Sequence, residues 1–227
     1  MDFEAVLDER FDEDFYKIKG LYYLPWIGEK YINSKTRLLV LGESNPIYEP
    51  EDDENWIRTL ITQNFAPILD SVKDPERPLV YLLKAVYNKK EISPEERYNL
   101  AEYMAFTNIV QRPLSSNKER PQEEDYKEKG WKIMLNIIKT IKPKNIVIIG
   151  VESIDYLRRI ADEENIKIIN FKKVEPKING TNPREFFIEN GDEKIKCTAI
   201  KHTSKYFSWD KWYKYICTRI KLKEIKI

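Results

Sequence analysis

A chain of 227 residues, 41% hydrophobic and 34% charged, has enough apolar sequence for a sizeable core beneath a heavily charged shell. Its formal net charge of +1 excludes a global field that gathers polyanions, so a nucleic-acid surface would have to be a local basic patch. One histidine and two cysteines, Cys197 and Cys217, exclude a zinc finger or a four-cysteine iron–sulfur site within the chain, and no metal or cofactor is expected. Charge is uneven, with acids Asp2, Glu4, Asp8, Glu9 and Asp12–Asp14 near the start and Lys211, Lys214, Arg219, Lys221, Lys223 and Lys226 near the end. Solvated helical faces account for both clusters. No apolar run approaches membrane-spanning length, so a reducing, cytoplasmic setting and no membrane partner are the expectation.

In chain order, the segment to about Gly20 carries Phe3, Val6, Leu7, Phe11 and Phe15 at near-helical spacing. Leu21–Gly28 is aromatic and broken by Pro25 and Gly28, which predicts an ordered loop. Residues 1–36 thus form a helical and loop extension to a single domain spanning 1–227. Arg37–Leu41 is a continuous apolar run closed by Gly42, the pattern of a strand buried on both faces. An acidic loop follows over 43–55, with Pro46 and Pro50. Helices are predicted near 56–64, 78–88 and 94–104, the last opened by Ser93-Pro94-Glu95-Glu96. Phe106–Val110 predicts a strand, Arg112-Pro113 and 115–122 a loop. Gln122 to Lys142 predicts one long amphipathic helix stopped by Pro143. Asn145–Gly150 predicts a strand, 152–163 a helix and 166–171 a strand. A loop rich in Asn, Pro and Gly, a strand at 195–201 and a helix from about Ser208 complete the chain.

Strands alternating with helices predict an α/β fold of three layers, α/β/α, with a central, mainly parallel sheet of about four strands. Ligands of such sheets bind outside the carboxyl ends of the strands. That rule selects Gly42–Pro46, Asn108–Pro113, Gly150–Ser153 and His202–Ser204.

Three blocks in these loops resemble the uracil-DNA glycosylase superfamily, over roughly residues 37–215. Leu39-Val40-Leu41-Gly42-Glu43-Ser44-Asn45-Pro46 is similar to its first motif, a Gly-x-(Asp, Ala or Asn)-Pro turn after the first strand. Phe106–Pro113, followed by Asn117, Arg120-Pro121 and the stretch Ile141–Gly150, resembles the thermophile-type iron–sulfur glycosylases. Lys201-His202-Thr203-Ser204 is similar to a His-Pro-Ser motif after the last strand. The cluster cysteines are absent, the first motif has an extra residue that puts Ser44 where Asp or Ala would stand, and Thr203 replaces Pro.

The resemblance implies a glycosylase-like enzyme of base excision repair, monomeric, that hydrolyses the N-glycosidic bond of uracil or another deaminated base in DNA. Such an enzyme extrudes the base, holds its edge and stabilises an anionic leaving group. Asn108 offers both a donor and an acceptor to an imide edge. His202 donates to charge developing on a carbonyl oxygen, and Glu43 or Asn45 orients water. Tyr48 or Phe65 supplies a stacking ring. Gly42, Ser44, Thr203 and Ser204 line the base pocket, and Lys201, Lys205 and Ser204 hold phosphates.

Each residue has a structural alternative. Asn108 can bond the Gln111–Leu114 turn, His202 can be a satisfied strand-end residue, and Glu43 can cap the next segment. Tyr48 and Phe65 can be packing aromatics, and the acids of 49–54 would repel phosphate. Two further functions fit the same loops. One is a Gly-Asp-Ser-type esterase using Ser44 and His202, although Ala199 stands where its Asp would be. The other is a non-catalytic member of the glycosylase fold that binds nucleic acid or a partner.

Overall fold

The computed structural model describes residues 4–44, 78–112, 114–115, 118–190, 193–204 and 206–220. The chain runs through α1 (Asp12–Phe15), β1 (Trp26–Ile27), β2 (Leu38–Gly42), α2 (Pro78–Tyr87), α3 (Pro94–Tyr103) and β3 (Met104–Asn108). It continues through α4 (Glu123–Tyr126), a π-helical turn (Lys127–Trp131), α5 (Lys132–Ile141), β4 (Asn145–Ile149) and α6 (Ser153–Ile160). Three strands, β5 (Lys167–Lys173), β6 (Arg184–Asn190) and β7 (Glu193–Ile200), precede α7 (Trp209–Ile220). The helix expected at 56–64 lies outside the described residues.

The fold is α/β, built on one mixed sheet of seven strands in the order β1-β3-β2-β4-β7-β6-β5. β2 pairs in parallel with β3 and β4, and β4 in parallel with β7. β1, β6 and β5 are antiparallel to their neighbours. The sheet is therefore larger than the expected four strands. The strand expected at 166–171 belongs to its antiparallel edge.

Every residue of β2 is buried, and its alternating side chains enter two separate cores. Leu38 and Val40 pack with Leu83 of α2, Leu100 of α3 and Trp212 and Ile216 of α7. Leu39 and Leu41 pack with Ile137 and Ile138 of α5 and Leu157 of α6. Covering both faces is what allows a continuous apolar run to be a strand. Each fully buried Leu or Ile contributes about 1.5–3 kcal/mol. Among the described residues, no helix is long and apolar enough to cross a membrane.

Four local expectations are corrected. The apolar spacing before Gly20 gives only a 3-10 turn at Glu4–Val6 and the four residues of α1. Asp8 interrupts it, accepting bonds from the Arg10 backbone N at 3.1 Å and Nε at 2.8 Å, while Leu7 bridges Gly28. The loop expected at 21–28 includes β1, anchored by Trp26 Nε1 donating to the Ala101 carbonyl at 3.0 Å. The long helix from 122 is interrupted by the π turn, and it ends on Lys142 at φ +47° before Pro143. Finally, β6 occupies residues expected as loop. Phe186 and Ile188 face the core at 1% exposure, alternating with Glu185 and Glu189. The predicted start of α3 is a complete capping box between Ser93 and Glu96.

Glu185 shows what holds the antiparallel edge to the rest. Its Oε1 accepts from Tyr215 Oη and Arg219 Nε, both at 2.8 Å, and Lys172 Nζ lies 3.0 Å from Oε2. β5, β6 and α7 are thereby tied to one carboxylate. Burial alone would raise its pKa, but the bonds from Lys172 and Tyr215 and the Arg219 charge bring it below the usual 4.5. The stabilisation is therefore complete above the unfolded value and is lost as pH falls through the lower folded value. Glu185→Gln should cost about 1–3 kcal/mol near pH 7, because Lys172 and Arg219 can still reach water. In urea titrations at several pH values, that difference should shrink as the pH is taken below 4.5.

Candidate functional site

The parallel pairing brings the carboxyl ends of β3, β2, β4 and β7 to one edge of the sheet, so the loops that follow them meet there. β2 and β3 stay paired beyond their ends. Ile109 N donates to the Gly42 carbonyl at 3.0 Å and Val110 N to the Glu43 carbonyl at 2.9 Å. Gly42 and Asn108 are register partners whose side-chain directions fall on the same face. A Cβ on Gly42 would stand 2.0 Å from Asn108 Oδ1, so the Asn108 amide lies across the bare Cα. Only glycine permits that approach.

Asn108 is 3% exposed, and its amide makes no hydrogen bond among the described residues. Among the described residues, it does not bond the turn that follows Gln111. The Gln111 Nε2 donates to the Asn108 carbonyl at 2.6 Å, and its Oε1 accepts from Tyr23 N at 3.0 Å and Tyr22 N at 3.2 Å. These three bonds of a buried amide hold the backbone of Asn108 beside Tyr22 and Tyr23.

Glu43 points to the opposite core, where Tyr126 Oη donates to its Oε1 at 2.5 Å. His202, just past β7, is half-buried. Burial lowers its pKa from 6.5, the Glu43 carboxylate opposes that shift, and the Arg120 guanidinium reinforces it. Glu43 and Arg120 therefore each lie within electrostatic reach of His202, and burial favours its neutral imidazole. A neutral imidazole can donate one hydrogen bond and accept another.

The loop that carries Arg120 is clamped from behind. Arg112 binds Asp125 through Nε and Nη2, both at 2.7 Å, and reaches Glu119 through Nη1 at 2.7 Å. Asp125 also accepts from Gln122 N at 2.8 Å. This bidentate pair joins the 112–122 loop to the helix bearing Tyr126.

The other expected residues are placed differently. Ser44 is half-buried and makes no bond to His202 among the described residues. Thr203 is fully buried with Oγ1 unpartnered among the described residues, and Ser204 forms a tight turn, its N donating to the His202 carbonyl at 2.9 Å. Lys201 Nζ donates to the Asn179 carbonyl at 3.0 Å, which engages one of its three donors, while Asn179 Oδ1 accepts from Ser208 N at 2.9 Å. Asn45, Tyr48, Phe65 and Lys205 lie outside the described residues. Among the described residues, no three His, Cys, Asp or Glu side chains form a group that could hold a metal ion. A groove of about 530 Å³ lies between α6 and β5, lined by Arg158, Asn165, Lys167 and Phe171, and shares no residue with the carboxyl-end group.

Three contributors were missed from sequence: Gln111, Arg120 and Tyr126. Arg120 and Gln111 stand within the stretches singled out by resemblance, but nothing in composition indicates which backbone or charge they face. Tyr126 reads as an ordinary core aromatic of a helix. The chain matches no family model and no curated protein.

Two outcomes follow from this geometry. Gly42→Ala should cost about 1–3 kcal/mol by overpacking against Asn108, and adding Asn108→Ala should recover most of it in chemical denaturation. The single imidazole, followed by NMR, should titrate below 6.5 and move upward in Arg120→Gln.

Proposed function

We propose that the chain is a uracil-DNA glycosylase-like enzyme that hydrolyses the N-glycosidic bond of uracil or another deaminated base in DNA, with the three-layer α/β/α architecture of that superfamily. The observation that supports it most is the placement, at the carboxyl ends of neighbouring parallel strands, of a buried Asn108 amide with no hydrogen bond among the described residues and of His202 within electrostatic reach of Glu43. These are the residue types that such a reaction requires, in the loops where the sequence resembles that superfamily.

The chemistry assigns one task to each. The Asn108 amide pairs with the imide edge of an extruded base, with Gly42 leaving room for the amide to lie flat. As the bond between the sugar carbon and the base nitrogen breaks, its electron pair leaves with the base. His202 donates a hydrogen bond to the carbonyl oxygen where that negative charge collects. Water adds to the sugar carbon, and its proton passes to the Glu43 carboxylate. Ser204 and residues such as Lys205 hold flanking phosphates, while Lys201 positions the loop through Asn179.

Esterase chemistry has less support, because Ser44 makes no hydrogen bond to His202 among the described residues and the electrostatic partners of His202 are Glu43 and Arg120. A protein that binds DNA without cutting it would use the same pocket. The deciding experiment is release of free base from oligonucleotides carrying uracil, hypoxanthine or xanthine. Uracil release is expected, with Asn108→Ala and His202→Ala each lowering kcat/KM by about a hundredfold or more. Salt-sensitive binding without release would identify the non-catalytic form. Hydrolysis of a chromogenic ester that is lost in Ser44→Ala would replace the proposal by the esterase.

A further inference from the structure

The π turn at Lys127–Trp131 interrupts the regular helix expected over this stretch, with Gly130 and Trp131 buried. A π-bulge adds one residue to a helix, shifts the faces on either side of it, and is found frequently at functional sites. Here it follows directly on Tyr126, and Gly130 sits within it. A Cβ on Gly130 would stand 2.5 Å from the Asp125 carbonyl oxygen and 3.2 Å from that of Ile109. The bulge therefore lets the helix press against the residue next to Asn108. On its other side it presents Tyr126, buried, to Glu43.

We propose that Tyr126, presented by this π-bulge, is a positioning residue that holds the Glu43 carboxylate beside His202. Its hydroxyl donates to Glu43 Oε1 at 2.5 Å, and its ring is stacked on Tyr156 with centroids 4.7 Å apart and planes 1° from parallel. The stack fixes the direction of the hydroxyl, and the bond leaves Glu43 Oε2 without a partner among the described residues. Among the described residues, the titratable and charged groups facing Tyr126 are Glu43, Tyr156 and Glu152, and those facing His202 are Glu43 and Arg120. Burial, then the Glu43 bond and charge, hold the phenol well above its ordinary pKa, so it remains a donor at every working pH. Tyr126 thus fixes one carboxylate oxygen and leaves the other for water. That last, catalytic consequence rests on the function proposed above; the geometric role does not.

The test uses Tyr126→Phe, which keeps the ring and its stack and removes only the hydroxyl. The single histidine allows its imidazole to be titrated by NMR without ambiguity. Glu43→Gln should lower the His202 midpoint, because the neighbouring negative charge raises it. Tyr126→Phe should lower it part of the way, by about half a unit, as the freed carboxylate swings toward solvent. In the Glu43→Gln background, Tyr126→Phe should add nothing. An unchanged midpoint in Tyr126→Phe, or the same shift with and without Glu43, would overturn the assignment. If uracil is released, Tyr126→Phe should also lower kcat about ten- to a hundredfold with KM nearly constant. If the wild type releases no base, the proposed function fails while the His202 titration still decides the role of Tyr126.

Discussion

The close approach of two parallel strand ends is the constraint on which the rest of the site depends. β2 and β3 remain hydrogen-bonded one residue past their last buried pair, through Ile109 N to the Gly42 carbonyl and Val110 N to the Glu43 carbonyl. Backbones held at sheet spacing leave no room for a side chain between Gly42 and Asn108. The Asn108 amide occupies that space, and the following residue, Glu43, is turned by the strand's alternation toward the other core. One pairing therefore sends a carboxamide to one face and a carboxylate to the other. The parallel addition of β4 and β7 then brings His202 to the same edge.

Side chains that never reach this edge keep it in place. Gln111 closes three bonds onto the backbone of Asn108, Tyr22 and Tyr23, and a buried amide so satisfied is costly to displace. Arg112 and Asp125 tie the Arg120 loop to the helix, and Asn179 links Lys201 to the start of α7. The carboxyl-end loops thus stand on backbone held by side chains from elsewhere in the fold. Such support suits a site that must hold its geometry when a ligand arrives.

Much of this frame is written in local patterns. Leu38–Gly42 and Asn145–Ile149 are continuous apolar runs because both faces are covered, and Ser93-Pro94-Glu95-Glu96 encodes a cap that forms as expected. The carboxyl-end rule selects Gly42, Glu43, Asn108 and His202 from the sequence, and the parallel pairing puts the strand ends that carry them at one end of the sheet. Other features depend on contacts distant in sequence. The acids of β6 look loop-like until Tyr215 and Arg219 arrive from α7 to satisfy Glu185. The helical spacing before Gly20 is overruled by the Asp8–Arg10 turn. The π-bulge has no periodic signature, and its Gly130 packs against Ile109, a contact distant in sequence, so nothing local marks the hydrogen bond from Tyr126 to Glu43. The bond from Lys201 to the Asn179 carbonyl has no signal in the sequence, because a backbone carbonyl carries no side-chain identity.

The central claim is that Asn108 and His202 line one pocket for an extruded base. It is tested most directly by adding a short single-stranded oligonucleotide with one uracil to the protein and following the lone His202 imidazole by NMR. The imidazole signals should shift in a saturable way with the uracil strand, shift far less with a thymine strand of the same sequence, and lose that difference in Asn108→Ala. Equal responses to both strands, or a uracil response that survives Asn108→Ala, would contradict a shared base pocket.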